Sequence, residues 1–265
     1  MAHQDTLSNT CSVCGEAASA RCIACFDVKY PNKISASTFY CSKDCQTKGW
    51  PSHKKDCQAV QARKKLFRAG ELLQEAFFAT RAEAFDLKDA KVEKFSDGTL
   101  HIFDAPKLAS SPTIGPISDK FGFDTKTKQA ILSWNAGNDV FHSMILELGR
   151  KAFKGYVAKV EEVTVRVFDA KVSMYRHFGS EPDGTFVTTH HVLCLTLKDQ
   201  STWAVDLAGA QHGQYHPVLS FDDYSRDYVA KILQRQLYGE DSERPEKPVC
   251  SRHGLDGYDK AVDLA

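Results

Sequence analysis

Apolar residues recur along this chain at spacings that mark out its elements. After Cys57, the stretch QAVQARKKLFRAGELLQEAFFATRAEAF places Val60, Leu66, Phe67, Leu73, Phe77, Phe78 and Phe85 at helical intervals, which predicts an amphipathic helix. No Gly/Ser/Pro cluster interrupts it, so it joins its neighbours rather than acting as a loose linker. KVEKFSDGTLHIF then alternates apolar and polar residues around Asp97-Gly98, a hairpin signal, and Pro106, Pro112, Gly115 and Pro116 mark a loop. Helices are predicted in TKTKQAILSW and in NDVFHSMILELGRKAF, the latter with Asn138 as its cap. EEVTVRVF, FVTTHHVLCLTLKD and STWAVDL read as strands, the last two joined by the turn-like DQS. DDYSRDYVAKILQRQLY reads as a final helix, and the charged, proline-bearing EDSERPEKP opens a tail expected to be mobile. No internal repeat occurs, and the pattern implies an α+β body.

The chain has 265 residues, room for one sizeable core and a small satellite. Its 42% hydrophobic and 26% charged residues exclude a largely disordered chain. No apolar run approaches the roughly 18 to 20 residues that span a bilayer. MAHQDTLSNT lacks the apolar segment of a secretory signal, so an intracellular protein, of cytoplasm or nucleus, is expected.

Seven of the nine cysteines fall within the first 57 residues. Without an export signal, metal binding explains them better than disulfides do. Charge divides the same way. Through Gly70 there are 11 basic and 5 acidic residues, about +6, and the rest of this neutral chain is about −6. Seven thiolates around two divalent ions would offset much of the basic excess, which weakens a nucleic-acid reading of it.

The ligand spacing is Cys11-x2-Cys14, Cys22-x2-Cys25, Cys41-x3-Cys45 and His53-x3-Cys57. Eight soft or borderline ligands in four pairs make two four-coordinate sites, the closed arrangement of structural zinc. A Cys-x2-Cys pair forms a knuckle, and Gly15 follows the first one. The later pairs have helical spacing, with Ser42 placed to cap a first turn and His53 and Cys57 on one face. Spacing alone leaves open how the four pairs combine.

This stretch resembles a MYND-type zinc finger. The four pairs match that family's scheme across residues 11 to 57, and YCSKDCQTKGWPSHKKDC resembles its most distinctive segment, with Tyr40, Ser42, Gln46, Trp50 and Lys54 in place. The resemblance implies interleaved ligation: Cys11, Cys14, Cys41 and Cys45 hold one zinc, and Cys22, Cys25, His53 and Cys57 hold the other. It also implies a protein-interaction module in which Ser42, Gln46 and Trp50 meet a partner peptide, in several relatives a proline-containing one. An indole face packs well on proline, and a glutamine amide both donates to and accepts from an extended backbone. Gly49 and Pro51 depart from the family, where a helix more often continues; Pro51 is expected to start a new turn.

The expected fold is therefore a small double-zinc finger of short hairpins plus a helix, followed by an α+β domain. The expected divisions are 1–58 finger, 59–90 connecting helix, 91–240 body and 241–265 mobile tail. The expected role is a zinc-dependent adaptor that recruits a protein partner, with no membrane contact. The runs Lys54-Lys55 and Arg63-Lys64-Lys65 read as a solvated face, and nucleic-acid binding or transcriptional regulation through this head is the weakest alternative. A stronger alternative is a degenerate or active hydrolase or transferase body targeted by the finger. His190 or His191 opens one strand and Asp206 closes the next, a faint likeness to transglutaminase-like and papain-like enzymes. That chemistry needs a cysteine on a preceding helix, yet none lies between Cys57 and Cys194, and Cys194 sits in the apolar VLCLTL. No SET-type methyltransferase motif, phosphate loop or Gly-x-Ser-x-Gly elbow occurs, so no catalytic residue is assigned.

Overall fold

The computed structural model describes residues 10–26, 29–30, 33–34, 38–83, 91–103, 123–134, 148–168, 174–178, 181–183 and 189–238. The expected loop at 106–116, the Asn138 cap, Phe85 and the 241–265 tail lie outside them. The finger contributes two two-stranded ladders, β1 (Ala20–Arg21) with β4 (Phe39–Tyr40) and β2 (Lys29–Tyr30) with β3 (Lys33–Ile34).

A single 41-residue helix, α1 (Lys43–Glu83), follows. The helix expected to begin after Cys57 thus begins inside the finger. It runs through Pro51, where a new turn was expected. Proline removes the bond to the carbonyl four residues back, here that of Thr47, and Thr47 is exposed, so the freed carbonyl belongs to the solvated side. Gly49 faces the opposite way and is buried. A Cβ there would approach Val13 Cγ2 to 2.8 Å and Tyr40 Cε1 to 3.0 Å. Glycine at this position lets the helix lie against Tyr40 and the first knuckle.

The body is built on two sheets. The larger has the order β12-β11-β10-β7-β13 and is antiparallel throughout, with β7 at Val157–Val167, β10 at Thr189–Leu197, β11 at Thr202–Val205, β12 at Val218–Ser220 and β13 at Val229–Leu237. The smaller runs β5-β6-β8-β9: the expected hairpin β5 (Lys91–Lys94) and β6 (Leu100–Phe103), then β8 (Met174–Phe178) parallel to β6, then β9 (Glu181–Asp183). The helix α2 (Thr125–Ser133) is where TKTKQAILSW predicts it, capped by Asp124, whose carboxylate accepts from Thr127 N–H. A short helix, α3, covers 148–152.

Strand alternation divides the large sheet into two apolar faces. Leu193, Leu195 and Leu197 of β10 and Trp203 and Val205 of β11 face α1, which buries Leu66, Ala69, Leu73 and Phe77 against them. Each of those large side chains contributes roughly 2 to 3 kcal/mol of apolar burial. Val163 and Val165 of β7 with Val192 and Cys194 of β10 face the other way, under Phe221 and Tyr224 of α4 (Phe221–Tyr228). Here the expected last helix is corrected: it stops at Tyr228 and the chain continues directly as β13. VAKILQRQL is rich in helix-forming residues, yet pairing with β7 overrides that weak preference. The small sheet packs Val92, Leu100, Ile102 and Met174 on Ala130, Ile131 and Leu132 of α2. Arg81 of α1 ties the two layers by donating from Nε to the Leu132 carbonyl at 3.1 Å.

At buried Gly70, α1 lies close against the large sheet: a Cβ there would fall well inside van der Waals contact distance of Val218 Cγ2, with Pro217 alongside. Gly70→Ala should therefore lower stability by about 1 to 2 kcal/mol, although alanine is the better helix former by about 1 kcal/mol. Chemical denaturation of Gly70→Ala, Val218→Ala and the double variant should give a double loss smaller than the sum of the single losses. Additive losses would show that no steric conflict exists there.

Candidate metal centres

Each finger ligand is positioned by its local element. Ser42 caps the start of α1: its Oγ accepts from Cys45 N–H at 3.2 Å, which fixes the turn between Cys41 and Cys45. One helical turn separates His53 from Cys57, so both face inward together. The short helical turn Ile23–Cys25 points Cys22 and Cys25 at that face, and the Thr10–Ala17 bridge brackets Cys11 and Cys14.

The fold gathers these eight side chains into two groups, Cys11, Cys14, Cys41, Cys45 and Cys22, Cys25, His53, Cys57, with the ligand atoms of each group within 4.8 Å of one another. This is the interleaved combination. In the first group Cys41 Sγ lies 3.5 Å from both Cys14 Sγ and Cys45 Sγ, and Cys45 Sγ lies 3.9 Å from Cys14 Sγ. In the second, Cys22 Sγ is 3.8 Å from Cys57 Sγ and Cys25 Sγ is 3.4 Å from His53 Nε2. A tetrahedral zinc with bonds of about 2.3 Å to sulfur and 2.0 Å to nitrogen needs ligand separations of roughly 3.5 to 3.8 Å. The spacing fits that ion, and all eight cysteines among the described residues are free of disulfides.

Electrostatics gives the same answer. Neighbouring thiols, Cys14 first and then Cys45, push Cys41 up to about 12, and burial followed by Cys22 pushes Cys25 up to about 12. Thiols this crowded cannot all ionise near neutral pH on their own. A divalent cation supplies the charge that lets every one become a ligand.

Residues 11–57 match the family model described as MYND finger. This segment is a MYND finger. A protein of Schizosaccharomyces pombe called SET domain and MYND-type zinc finger protein 6 is 45% identical over 60 residues, which is 22% of this chain and 10% of that protein. The chain thus aligns with about a tenth of that curated relative's length. No solved structure matches the chain. A MYND finger is a zinc-binding protein-interaction module, and this one has the donors for two structural zinc ions.

The two centres differ in surroundings. All four residues of the second group are buried, whereas in the first Cys14 is exposed and Cys41 and Cys45 are half-buried. The second group also has outer partners that spacing did not reveal. Thr38 Oγ1 lies 3.2 Å from His53 Nδ1, leaving Nε2 to face the thiols, and Gln61 Nε2 donates to Cys57 Sγ at 3.3 Å. Such contacts fix ring orientation and temper thiolate charge. Thr38 has no sequence signal, because it comes from the strand side of the finger; Gln61 has one, the helical i+4 relation to Cys57.

Ser42, Gln46 and Trp50 stand four residues apart along the first turns of α1, all exposed. Trp50 keeps 42% of its surface exposed while its ring meets His53 edge-on at 6.2 Å. It therefore both rests on the second metal group and faces solvent. In the basic runs, Lys64 Nζ donates to the finger's Phe26 carbonyl and Arg63 Nε to that of Ala59, one turn back in α1, at 3.3 Å, so two of those five cations serve the protein's own backbone.

In the body the histidine question resolves to His190. Its Nε2 donates to Asp206 Oδ1 at 2.9 Å, and Asp206 also accepts from Tyr224 Oη at 2.9 Å and from Ala208 N–H at 3.1 Å. Burial pushes the Asp206 carboxyl up, but His190 and the Tyr224 hydrogen bond outweigh it and hold it below the usual carboxylate range. His191, which the sequence offers equally, points to the opposite face and lies 3.1 Å from Thr164 Oγ1 through Nδ1. The His190–Asp206 pair is enclosed: the two side chains are 6% and 2% exposed. Gln211 Nε2 approaches His190 Nδ1 at 3.4 Å, so both ring nitrogens have protein partners and neither is a serine or cysteine. Cys194 is buried and receives Arg235 Nη2 at 3.3 Å. The geometry is that of a packed polar core rather than of an exposed base beside a nucleophile.

His212 packs edge-on against His190 at 4.9 Å, and both its nitrogens are buried without a hydrogen-bond partner among the described residues. Burial first, and then the neighbouring His190, pushes its pKa down to about 3, against the slight opposing pull of Asp206.

Two expectations follow from these sites. Chelator titration of the zinc-loaded protein should withdraw the metal in two equal steps, the more exposed first centre leading, and Thr38→Val should weaken only the second step, by about tenfold. A single simultaneous release would contradict the difference in shielding. For His212 the folded pKa lies below the unfolded 6.5, so its contribution is fully present above that value and is lost as pH falls towards 3. Stability should drop by about 2 kcal/mol between pH 7 and pH 5 from this group alone. Because zinc ligands protonate over the same range, the measurement is the difference from His212→Leu, which should be shallower by that amount and no less stable at pH 7.

Proposed function

We propose that this protein is a zinc-dependent adaptor whose MYND finger captures an extended, proline-containing segment of a partner protein. Cys11, Cys14, Cys41 and Cys45 hold one structural zinc, and Cys22, Cys25, His53 and Cys57 hold the other. The observation that carries the reading is Trp50, a large aromatic left 42% exposed on the same helical stripe as the metal ligands His53 and Cys57, with its ring edge-on against His53. A ring held from behind by His53 loses little freedom on binding, which favours capture of a rigid proline. Gln46 and Ser42, one and two turns back, supply amide and hydroxyl groups along the same side, although Ser42 Oγ is already committed to the helix cap.

The ligand thiols must stay reduced to hold metal, which supports an intracellular location, cytoplasm or nucleus, as part of this reading. Among the described residues no helix is long and apolar enough to cross a membrane. Methyltransferase activity is not part of this proposal, since the match to the SET-containing relative spans only 10% of that protein. The body then acts as the scaffold that carries the finger.

The test is a titration of the full zinc-loaded chain with a Pro-x-Leu-x-Pro peptide, followed by amide and indole shifts. Saturable shifts at Gln46 and Trp50 are expected, and Trp50→Ala should weaken binding at least tenfold while retaining two zinc ions per chain. Absence of binding at millimolar peptide would overturn the proline reading.

A further inference from the structure

The surface of α1 around Trp50 carries charge that the finger itself does not use. Helical residues turn by about 100° each, so Lys43, seven residues before Trp50, and Lys54, four after it, lie within about 40° of it around the axis. Gln46 and Thr47 fill the same side between them. The acidic residues of this stretch, Asp44 and Asp56, sit about 120° away from Trp50. Lys43 and Lys54 are both exposed, and among the described residues neither side chain makes an ion pair or a hydrogen bond. The helix side that bears the open indole is therefore cationic and free of carboxylates.

Compensation of the metal thiolates does not explain this placement. The first centre, with four thiolates around a divalent ion, has the larger negative charge, yet its helical ligand Cys45 lies on the opposite side of α1 from Lys43 and Lys54. Lys48 and Lys55, also exposed, are about 140° to 160° from Trp50 and nearer to that centre's side. Spacing supplies the second observation. Lys43 and Lys54 are eleven residues apart, about 16 Å along the axis, with Trp50 about 10 Å from the first and 6 Å from the second. An extended chain advances roughly 3.1 to 3.4 Å per residue, so those gaps correspond to about three and two peptide residues.

We infer that the segment captured at Trp50 is acidic as well as proline-bearing, with one carboxylate about three residues to one side of the seated proline, on Lys43, and another about two residues to the other side, on Lys54. The inference rests on the proline-capture reading of the finger and adds to it the charge and spacing of the partner. Exposed ion pairs contribute little affinity each, but a pair on either side of an aromatic anchor fixes the register of the bound segment and speeds its encounter with the finger.

The experiment uses the full zinc-loaded chain and two labelled, capped peptides, Pro-Glu-Leu-Ala-Pro-Ala-Glu and Glu-Ala-Pro-Ala-Leu-Glu-Pro, which present the two acids in either chain direction. Each has a glutamine-for-glutamate control. By anisotropy, the better acidic peptide should bind about three- to tenfold more tightly than its control at low salt, and the gap should close at about 0.5 M salt. Lys43→Gln with Lys54→Gln should erase the gap while the chain retains its zinc. Lys48→Gln with Lys55→Gln removes the same charge from the other side of α1 and should leave most of it. Equal binding of acidic and glutamine peptides, or equal losses from the two variant pairs, would overturn this inference and leave proline capture standing. No binding of any of the four peptides at millimolar concentration would overturn both.

Discussion

Everything in this molecule depends on one unbroken helix whose first half belongs to a metal centre and whose second half belongs to a hydrophobic core. Cys45, His53 and Cys57 occupy three turns of α1, and Leu66, Ala69, Leu73 and Phe77 occupy the turns that follow. No spacer separates them. Val60 still packs on the finger's cysteine cluster, while Ala62, two residues later, already packs on the body core. A finger of this size builds little core of its own, so ligand bonds supply much of its folding free energy. Through α1 that free energy is delivered next to the largest apolar cluster in the body.

The two halves solve burial in different ways. Around the second metal group the buried groups are polar and reactive, and they are satisfied by a cation and by outer contacts from Thr38 and Gln61. In the body, Asp206 and His190 are buried just as deeply but satisfy each other, with Tyr224, Ala208 and Gln211 completing the set. A closed network of this kind holds β10, β11 and α4 in a single arrangement, since a shifted strand would strand a carboxylate in a dry interior. His212, beside this network, differs: it is a buried imidazole whose nitrogens have no hydrogen-bond partner among the described residues.

How much of this was legible in the sequence depended on whether the determining signal was local. The ligand pairs were readable because coordination chemistry restricts both residue type and spacing; their interleaving came only with the family resemblance and is what the fold shows. The hairpin about Asp97-Gly98, α2 and the strands β7, β10 and β11 were also readable, from two-fold alternation and turn residues. Continuity through Gly49 and Pro51 was not, because both look like helix breakers until Tyr40 and Val13 are placed beside Gly49 and solvent beside Thr47. The switch from α4 to β13 at Val229 was invisible for a similar reason: the residues favour helix and only the β7 partner makes them a strand. The choice of His190 over its neighbour turned on which sheet face carries α4, a matter of layer order rather than of either side chain.

Helical continuity also fixes relative orientation in a way that no flexible join would. Each residue of an α-helix advances the chain by 1.5 Å and turns it by 100°. Only eight residues lie between Cys57 and Leu66. Adding or removing one of them would swing the tryptophan-bearing surface more than a quarter turn around the axis relative to the large sheet, and four would nearly restore it. The direction in which the finger presents its surface is thus a property of chain length over this interval, and drift in length there is tolerated in steps of whole turns rather than single residues.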